Sequence, residues 1–271
     1  MRYAANLSML FGHLPLAERA AAARVAGFRF AETWWPFVDP APGADELHRF
    51  CGTLEAADLR LVLLNLDAGD PGRGDRGLLS DPAQQARVEA NLEAVACLLD
   101  RTGCRTVNAL YGNRLPGHDA GEQDRTALRR LVRVADRMAE LGACVVLETL
   151  NTTDSPAFPL TDIRRTAELV HRVNDTTGHG NVGLLLDTYH LTTMGTDPVA
   201  AVREFAGLIR HVQFADAPGR GRPGTGSIDF PAVTKALAAV GYDGFVGLEY
   251  HPRHGGTDPE RNRDENRQLR T

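Results

Sequence analysis

Apolar runs of strand length alternate with Ala-, Arg- and Leu-rich amphipathic runs along the whole 271-residue chain, eight times over. The strand-like runs are continuously apolar, as expected of parallel strands covered on both faces. Several end on a carboxylate or carboxamide. Together these features predict an α/β fold, a single (β/α)8 TIM barrel, with one domain over residues 1–271 and a polar C-terminal tail from about residue 253. A doubly wound sheet would want a phosphate-binding glycine turn after its first strand. That position holds Asn6-Leu7-Ser8-Met9-Leu10-Phe11-Gly12, with no G-x-G.

The elements follow in order. Tyr3 to Leu7 reads as a strand, and Leu16 to Ala26 as a helix with Pro15 at its start and Gly27 at its end. Phe28 to Glu32 is the second strand, followed by the bulky loop Thr33-Trp34-Trp35-Pro36-Phe37. A helix from Ala44 to Ala57 leads to strand Leu59 to Leu66 and then a Gly/Asp-rich loop, Asp67 to Ser80. Asp81-Pro82 opens a long helix to Thr102, and Arg105 to Leu110 is the fourth strand. Gly121 to Leu141 is helical, with Leu128, Leu131, Val134, Ala135 and Met138 on one face. The fifth strand ends at Glu148 and precedes a helix from Thr161 to Asn174. The sixth ends at Asp187, before a short helix over Pro198 to Phe205. Leu208 to Ala215, a helix over Phe230 to Val240 and Phe245 to Glu249 complete the set, and the tail has weak helical character.

Composition narrows the function. Hydrophobic residues make up 43% and charged residues 24%, an ordinary globular balance. A formal net charge of −5 argues against a nucleic-acid scaffold, and no apolar run is long enough for a membrane span. The N-terminus enters a strand at once, with no signal-peptide apolar region. Cys51, Cys97, Cys104 and Cys144 stand singly without a C-x-x-C pair, so free thiols in a reducing cytoplasm are expected. No H-E-x-x-H, G-x-S-x-G or Walker A pattern occurs.

In a barrel the C-terminal strand ends face the active-site mouth. Glu148, Asp187, Gln213 and Glu249 all occupy that level, with Glu32 on the second strand. Polar groups ending buried strands are costly unless paired or holding a cation. The four side chains are therefore expected to meet around one divalent metal. An all-oxygen set of three carboxylates and one amide suits Mg2+, Mn2+ or Co2+. His190, three residues past Asp187, is expected to contact substrate. Arg220, in a glycine-rich loop over the same mouth, could hold a substrate carboxylate through two hydrogen bonds. Trp34, Trp35 and Phe37 form the one dense aromatic cluster, either a pocket roof or a subunit interface. No sequence stripe specifies a dimer, although barrels of this kind often self-associate.

At these residues the chain resembles the hydroxypyruvate isomerase family of the xylose-isomerase-like barrels, which also hold 2-oxo-tetronate isomerases and ketose 3-epimerases. The resemblance runs to about Pro252. It is carried by Ala5-Asn6-Leu7-Ser8-Met9-Leu10-Phe11, Asn65 with Ala68-Gly69-Asp70, Leu147-Glu148 with Asn151, and Asp187-x-Tyr189-His190. His211-Val212-Gln213 with Ala215-Asp216, Pro223-Gly224-Thr225-Gly226 and Gly247-Leu248-Glu249-Tyr250 complete it. It implies a metal on Glu148, Asp187, Gln213 and Glu249, with the two glutamates doubling as acid/base groups. His190 and Arg220 approach the substrate, Asn65 joins the substrate site, and Asp154 matches a substrate-contacting acid of related epimerases. The chain departs from the family at Thr149, where proline is common, at Leu64, where many members carry histidine, and in its bulkier Trp34-Trp35 wall, with Trp35 expected against the substrate.

The expected reaction is metal-dependent interconversion of an α-hydroxy aldehyde and an α-hydroxy ketone through a cis-enediolate. A small hydroxy-oxo acid such as hydroxypyruvate or tartronate semialdehyde is the substrate, and one of Glu148 and Glu249 moves the proton. The rivals are a 2-oxo-tetronate isomerase, a ketose or inosose 3-epimerase, a dehydratase, and a catalytically silent metabolite-binding barrel. An endonuclease IV-type phosphodiesterase would want many histidines at strand ends, where only His190 and His211 are on offer.

Overall fold

The computed structural model describes residues 1–252; the expected helical character of the tail lies outside them. Eight strands close into a barrel in sequence order: Arg2–Asn6 (β1), Phe30–Thr33 (β2), Arg60–Asn65 (β3), Thr106–Asn108 (β4), Cys144–Glu148 (β5), Val182–Asp187 (β6), Ile209–Phe214 (β7) and Phe245–Leu248 (β8). Every neighbouring pair is parallel, and β8 closes on β1 with Arg2 opposite Phe245 and Ala5 opposite Leu248. Register shifts at Ala31/Glu32 and Leu184/Leu185 fall just below the mouth, where bulges re-aim side chains.

The outer layer comprises Leu16–Val25 (α1), Ala44–Ala56 (α2), Gln85–Thr102 (α3), Ala120–Glu140 (α4), Ile163–Thr177 (α5), Thr188–Thr193 (α6), Pro198–Glu204 (α7) and Phe230–Ala239 (α8). Local chemistry sets the boundaries. Asp119, Asp162, Asp197 and Asp229 each accept a backbone N–H from the first turn of the helix that follows. Gly103 and Gly178, at φ 70° and 71°, end α3 and α5 in the left-handed conformation. On α4 the expected stripe of Leu131, Val134, Ala135 and Met138 is buried, with Leu128 half-buried beside it.

The main core lies between the strands and the helices, where Leu61, Leu98, Leu99, Leu131 and Leu184 are essentially inaccessible. Truncating any of them to alanine should cost about 2–5 kcal/mol. Helix α6 was not expected. Its first four residues, Thr188, Tyr189, His190 and Leu191, are all buried, so no polar face alternates with an apolar one to give a helical period. The Asp67–Ser80 loop contains a 3-10 turn, Pro71–Arg73, capped by the Asp70 carboxylate on the Gly72 N–H. No helix among the described residues is long and apolar enough to cross a membrane, and all four cysteines are free thiols.

Candidate active site

Alternate residues of a strand share a face, so the residue two before each strand end shows where that end points. Leu63, Val146 and Leu185 form a small apolar cluster apart from the main core, and each lies two residues before a polar strand end. Above them stand Asn6, Asn65, Asn108, Glu148, Asp187, Gln213 and Glu249, all buried.

Most of these groups hold one another in place. Glu148 Oε2 accepts from Asn108 Nδ2 at 2.9 Å. Glu249 Oε1 accepts from Asn6 Nδ2 at 3.0 Å and from Trp34 Nε1 at 2.7 Å, and its Oε2 accepts from Arg220 Nη2 at 2.7 Å. Asp187 caps α6: Oδ1 accepts the N–H groups of Tyr189 at 2.7 Å and His190 at 3.2 Å. Its Oδ2 forms no hydrogen bond, with Arg220 Nη2 3.6 Å away. Gln213 Nε2 donates to Glu32 Oε1 at 2.7 Å, which leaves Gln213 Oε1 buried and without a partner.

Burial of so much negative charge shows in the acidities. Glu148 is pushed well above the carboxylate range, first by burial and then by Glu249 and Asp187. Burial lifts Glu249 to about 7 against the opposing Arg220 charge, and lifts Asp187 to about 6 against Arg220 and the cap hydrogen bonds. His190 is held well below its ordinary value by burial and by the Arg220 and Arg76 charges, so its ring is neutral. The Asn151 backbone N–H donates to His190 Nδ1 at 3.0 Å. The ring proton therefore sits on Nε2, 3.9 Å from Glu148 Oε1.

Glu148, Asp187 and His190 each bring a donor atom within 4.8 Å of the others, a group that could hold a metal ion. The proton on His190 Nε2 makes that histidine a hydrogen-bond donor here, whereas Asp187 Oδ2 and Gln213 Oε1 are bare buried oxygens that a hard cation fits. Glu148 and Glu249 complete an all-oxygen set of the expected kind.

A cavity of about 720 Å³ opens above this floor. Its walls are Trp34, Trp35 and Phe37, the Asn65–Arg76 segment, Asp154 and Ser155, and Tyr189, His190 and Arg220.

A family model for xylose isomerase-like TIM barrels matches residues 20–270. A Streptomyces coelicolor protein named "Putative hydroxypyruvate isomerase" is 45% identical over 95% of this chain and 92% of its own length. The Escherichia coli hydroxypyruvate isomerase is 30% identical over 93% and 94%. The chain belongs to the hydroxypyruvate isomerase family of xylose isomerase-like barrels. A Haemophilus influenzae 2-oxo-tetronate isomerase is 29% identical over 93% of this chain and 94% of its own. A solved Brucella melitensis barrel, described as an AP endonuclease of family 2, superposes with a TM-score of 0.83 at 31% identity, covering 93% of each chain.

In this hydroxypyruvate isomerase family member, Glu148, His190, Arg220 and Glu249 line the cavity, while Asp187, beside Arg220, and Gln213 are buried outside its lining. Asn65, with Oδ1 unbonded, and Asp154 lie on its wall. Asp154 accepts from Tyr189 Oη at 2.8 Å and Asn151 Nδ2 at 3.0 Å. Against the upward push of burial, those bonds and the Arg220 and Arg76 charges hold it below the usual aspartate value. Trp35 lines the cavity, donates to the Asp39 carbonyl at 2.9 Å and meets Phe37 edge-on at 5.1 Å.

One expectation changes. Glu32 does not reach the cavity. It is fully buried, accepting from Asn6 Nδ2 at 2.9 Å and Gln213 Nε2 at 2.7 Å, with His211 Nε2 at 2.7 Å. Its carboxylate lies over Gly247, where any Cβ would collide with it. It orients a candidate metal ligand rather than touching substrate. Leu64, where many family members carry histidine, packs in the outer core, because the strand alternation turns it away from the face that Leu63 and Asn65 share.

Sequence reasoning missed Asn108 and Arg76. Asn108 ends a strand just as Asn65 does, and that shared position was a usable signal. Nothing in the sequence singled out Arg76 in its loop.

Proposed function

We propose that this isomerase interconverts hydroxypyruvate and tartronate semialdehyde by moving a proton between adjacent carbons. The observation that carries the reading is the pair Glu148 and Glu249, two buried carboxyl groups of raised pKa on one cavity floor, flanking the bare oxygens of Asp187 and Gln213. Glu148, Asp187, Gln213 and Glu249 would hold Mg2+, Mn2+ or Co2+, which supplies electrophilic pull on the carbonyl and hydroxyl oxygens and so acidifies the C–H between them.

The side chains do the rest. A glutamate of the pair removes the proton from the hydroxyl-bearing carbon and returns it to the neighbouring, former carbonyl carbon. The hydroxyl proton passes to the former carbonyl oxygen, so atoms and charge balance. Carboxyl groups lifted toward neutrality are matched to this transfer at physiological pH. His190, neutral with its proton on Nε2, donates to the substrate oxygen where charge gathers. Trp34 and Arg220 hold Glu249 from two sides, and the Trp34–Trp35–Phe37 wall keeps water from the carbanion-like carbon.

The 2-oxo-tetronate isomerase relative and a cavity larger than a three-carbon acid requires favour a second reading, a four-carbon 2-oxo acid with the same chemistry. For the phosphodiesterase alternative the cavity lining offers two histidines, His190 and His251, and His211 is engaged with Glu32.

The test is turnover with added Mg2+, Mn2+ or Co2+, measured together with solvent-deuterium incorporation into the product. Glu148→Gln and Glu249→Gln should each lower kcat by at least about 100-fold, and chelation should abolish turnover. Near-full activity in both variants with metal bound would overturn the two-glutamate mechanism. Chelator-insensitive turnover would remove the metal.

A further inference from the structure

Arg220, expected to receive a substrate carboxylate, donates through Nη2 to Glu249 and stands beside Asp187, so its charge is already paired, while its buried Nε has no partner. A second cation lines the same cavity. Arg76 lies in the loop after β3, and its donors fall on neutral oxygens: Nε on Ser155 Oγ at 3.0 Å, Nη1 on the carbonyls of Asp75 at 2.8 Å and Pro71 at 3.4 Å, and Nη2 on the carbonyl of Asp154 at 3.4 Å. Those four bonds leave one Nη2–H of the five donors. Among the described residues no carboxylate forms an ion pair with Arg76, although fourteen ion pairs occur elsewhere. A guanidinium held by neutral groups at a cavity wall, with no ion-pair partner among the described residues, suits an anion that arrives with the ligand.

The spacing between this cation and the candidate reaction centre is built into one short turn. Ser155 N–H donates to the Asn151 carbonyl at 3.1 Å, and Asp154 N–H to Asn151 Oδ1 at 2.8 Å. One end of the turn carries the N–H that orients His190, and the other carries the hydroxyl that orients Arg76. The Arg76 charge is also felt at His190 and Asp154, which places it within electrostatic reach of both.

We propose that Arg76 is the specificity-determining residue of this site, receiving the substrate carboxylate while His190 and the two glutamates face the hydroxy-carbonyl end. The assignment rests on the hydroxy-oxo acid reading above and deepens it. It is compatible with either reading of the substrate: the acid group is anchored at Arg76, and a three- or four-carbon chain spans from it to the floor.

The experiment compares wild type, Arg76→Gln and Arg76→Lys, each with an unchanged melting curve, on hydroxypyruvate and on its neutral isostere pair, dihydroxyacetone and glyceraldehyde. Arg76→Gln should lower kcat/KM on hydroxypyruvate by about 10- to 100-fold, mostly through KM, and lower it far less on the neutral pair. Arg76→Lys should fall between the two, having charge without the fork. Equal losses on acid and neutral substrates, or no loss on the acid, overturn the proposal. Calorimetric binding of tartronate to the Mn2+-loaded proteins separates this from the activity reading. If wild type turns over no substrate yet binds tartronate at least about tenfold more tightly than Arg76→Gln, the reaction assignment falls and Arg76 stands. Equal tartronate affinity, or none in either protein, overturns the Arg76 assignment.

Discussion

Replacing Asp216 with asparagine changes one atom, and the structure says what that atom does. Asp216 lies two residues past the end of β7 and is fully buried. Its Oδ1 accepts the N–H groups of Ala217 at 2.9 Å and Ile228 at 3.0 Å, and its Oδ2 those of Gly224 at 2.9 Å and Gly226 at 2.7 Å. A single carboxylate thus gathers both ends of the loop that carries Arg220. An asparagine must turn its NH2 toward one of those pairs, so in either orientation two donors face a donor. Hydrogen bonds to a charged acceptor contribute about 1.5–3 kcal/mol each, so the loss is about 3–6 kcal/mol. The loop is largely exposed and can detach without the barrel unfolding. Asp216→Asn should therefore open residues 217–228 to limited proteolysis and lower kcat/KM by about 100-fold or more. The melting temperature should fall by less than global loss of that energy would give. Wild-type protease resistance together with wild-type kcat/KM would refute the assignment of Asp216 as the anchor of the Arg220 loop.

Other outcomes follow from the same geometry. Glu249 and Asp187 carry folded pKa values of about 7 and about 6, above their ordinary values of 4.5 and 3.8. The folded state therefore holds protons that the unfolded chain releases. Metal-free stability from these groups is fully present below about pH 4 and is lost as pH rises through 6 to 7, by up to about 1.4 kcal/mol per pH unit per group. Metal-free wild type should lose more stability than Glu249→Gln between pH 5.5 and 8 in thermal melts, and saturating Mn2+ should reverse the trend, since the cation binds deprotonated carboxylates. A metal-free difference that is flat or rises with pH contradicts this. Trp34→Phe removes the indole N–H that Glu249 accepts; a kcat–pH profile with its glutamate limb moved upward is expected, and an unmoved limb counts against that contact. Gly247→Ala forces Glu32 from its place beneath Gln213, and cation affinity measured by calorimetry should fall about 10- to 100-fold.

The barrel was legible in the sequence because continuous apolar strands alternate with amphipathic helices of a different period. The strand-end groups were legible for the same reason: a Glu, Asp or Gln closing an apolar run contradicts its surroundings unless something binds it. What escaped notice was set by contacts distant in sequence. Glu32 looked like a fifth mouth residue, and only closure of β8 against β1 shows its carboxylate lying over Gly247. Arg76 is one of several charged residues in a Gly/Asp-rich loop, and only folding brings it against Ser155, 79 positions along. Helix α6, buried over its first four residues, has no amphipathic period for a sequence reading to detect.

Glu32 and Gly247 together constrain how this sequence can vary. An acid at position 32 occupies the volume a side chain at 247 would need, and without it Gln213, Asn6 and His211 lose the oxygens they meet. Neither position is free to drift alone. Functional homologues should conserve the pair or replace both at once, and a chain that keeps its strand-end glutamates while losing Gly247 should carry a shortened residue at 32. Covariation between positions 32 on β2 and 247 on β8 is the expected record of how an amide oxygen on β7 is aligned.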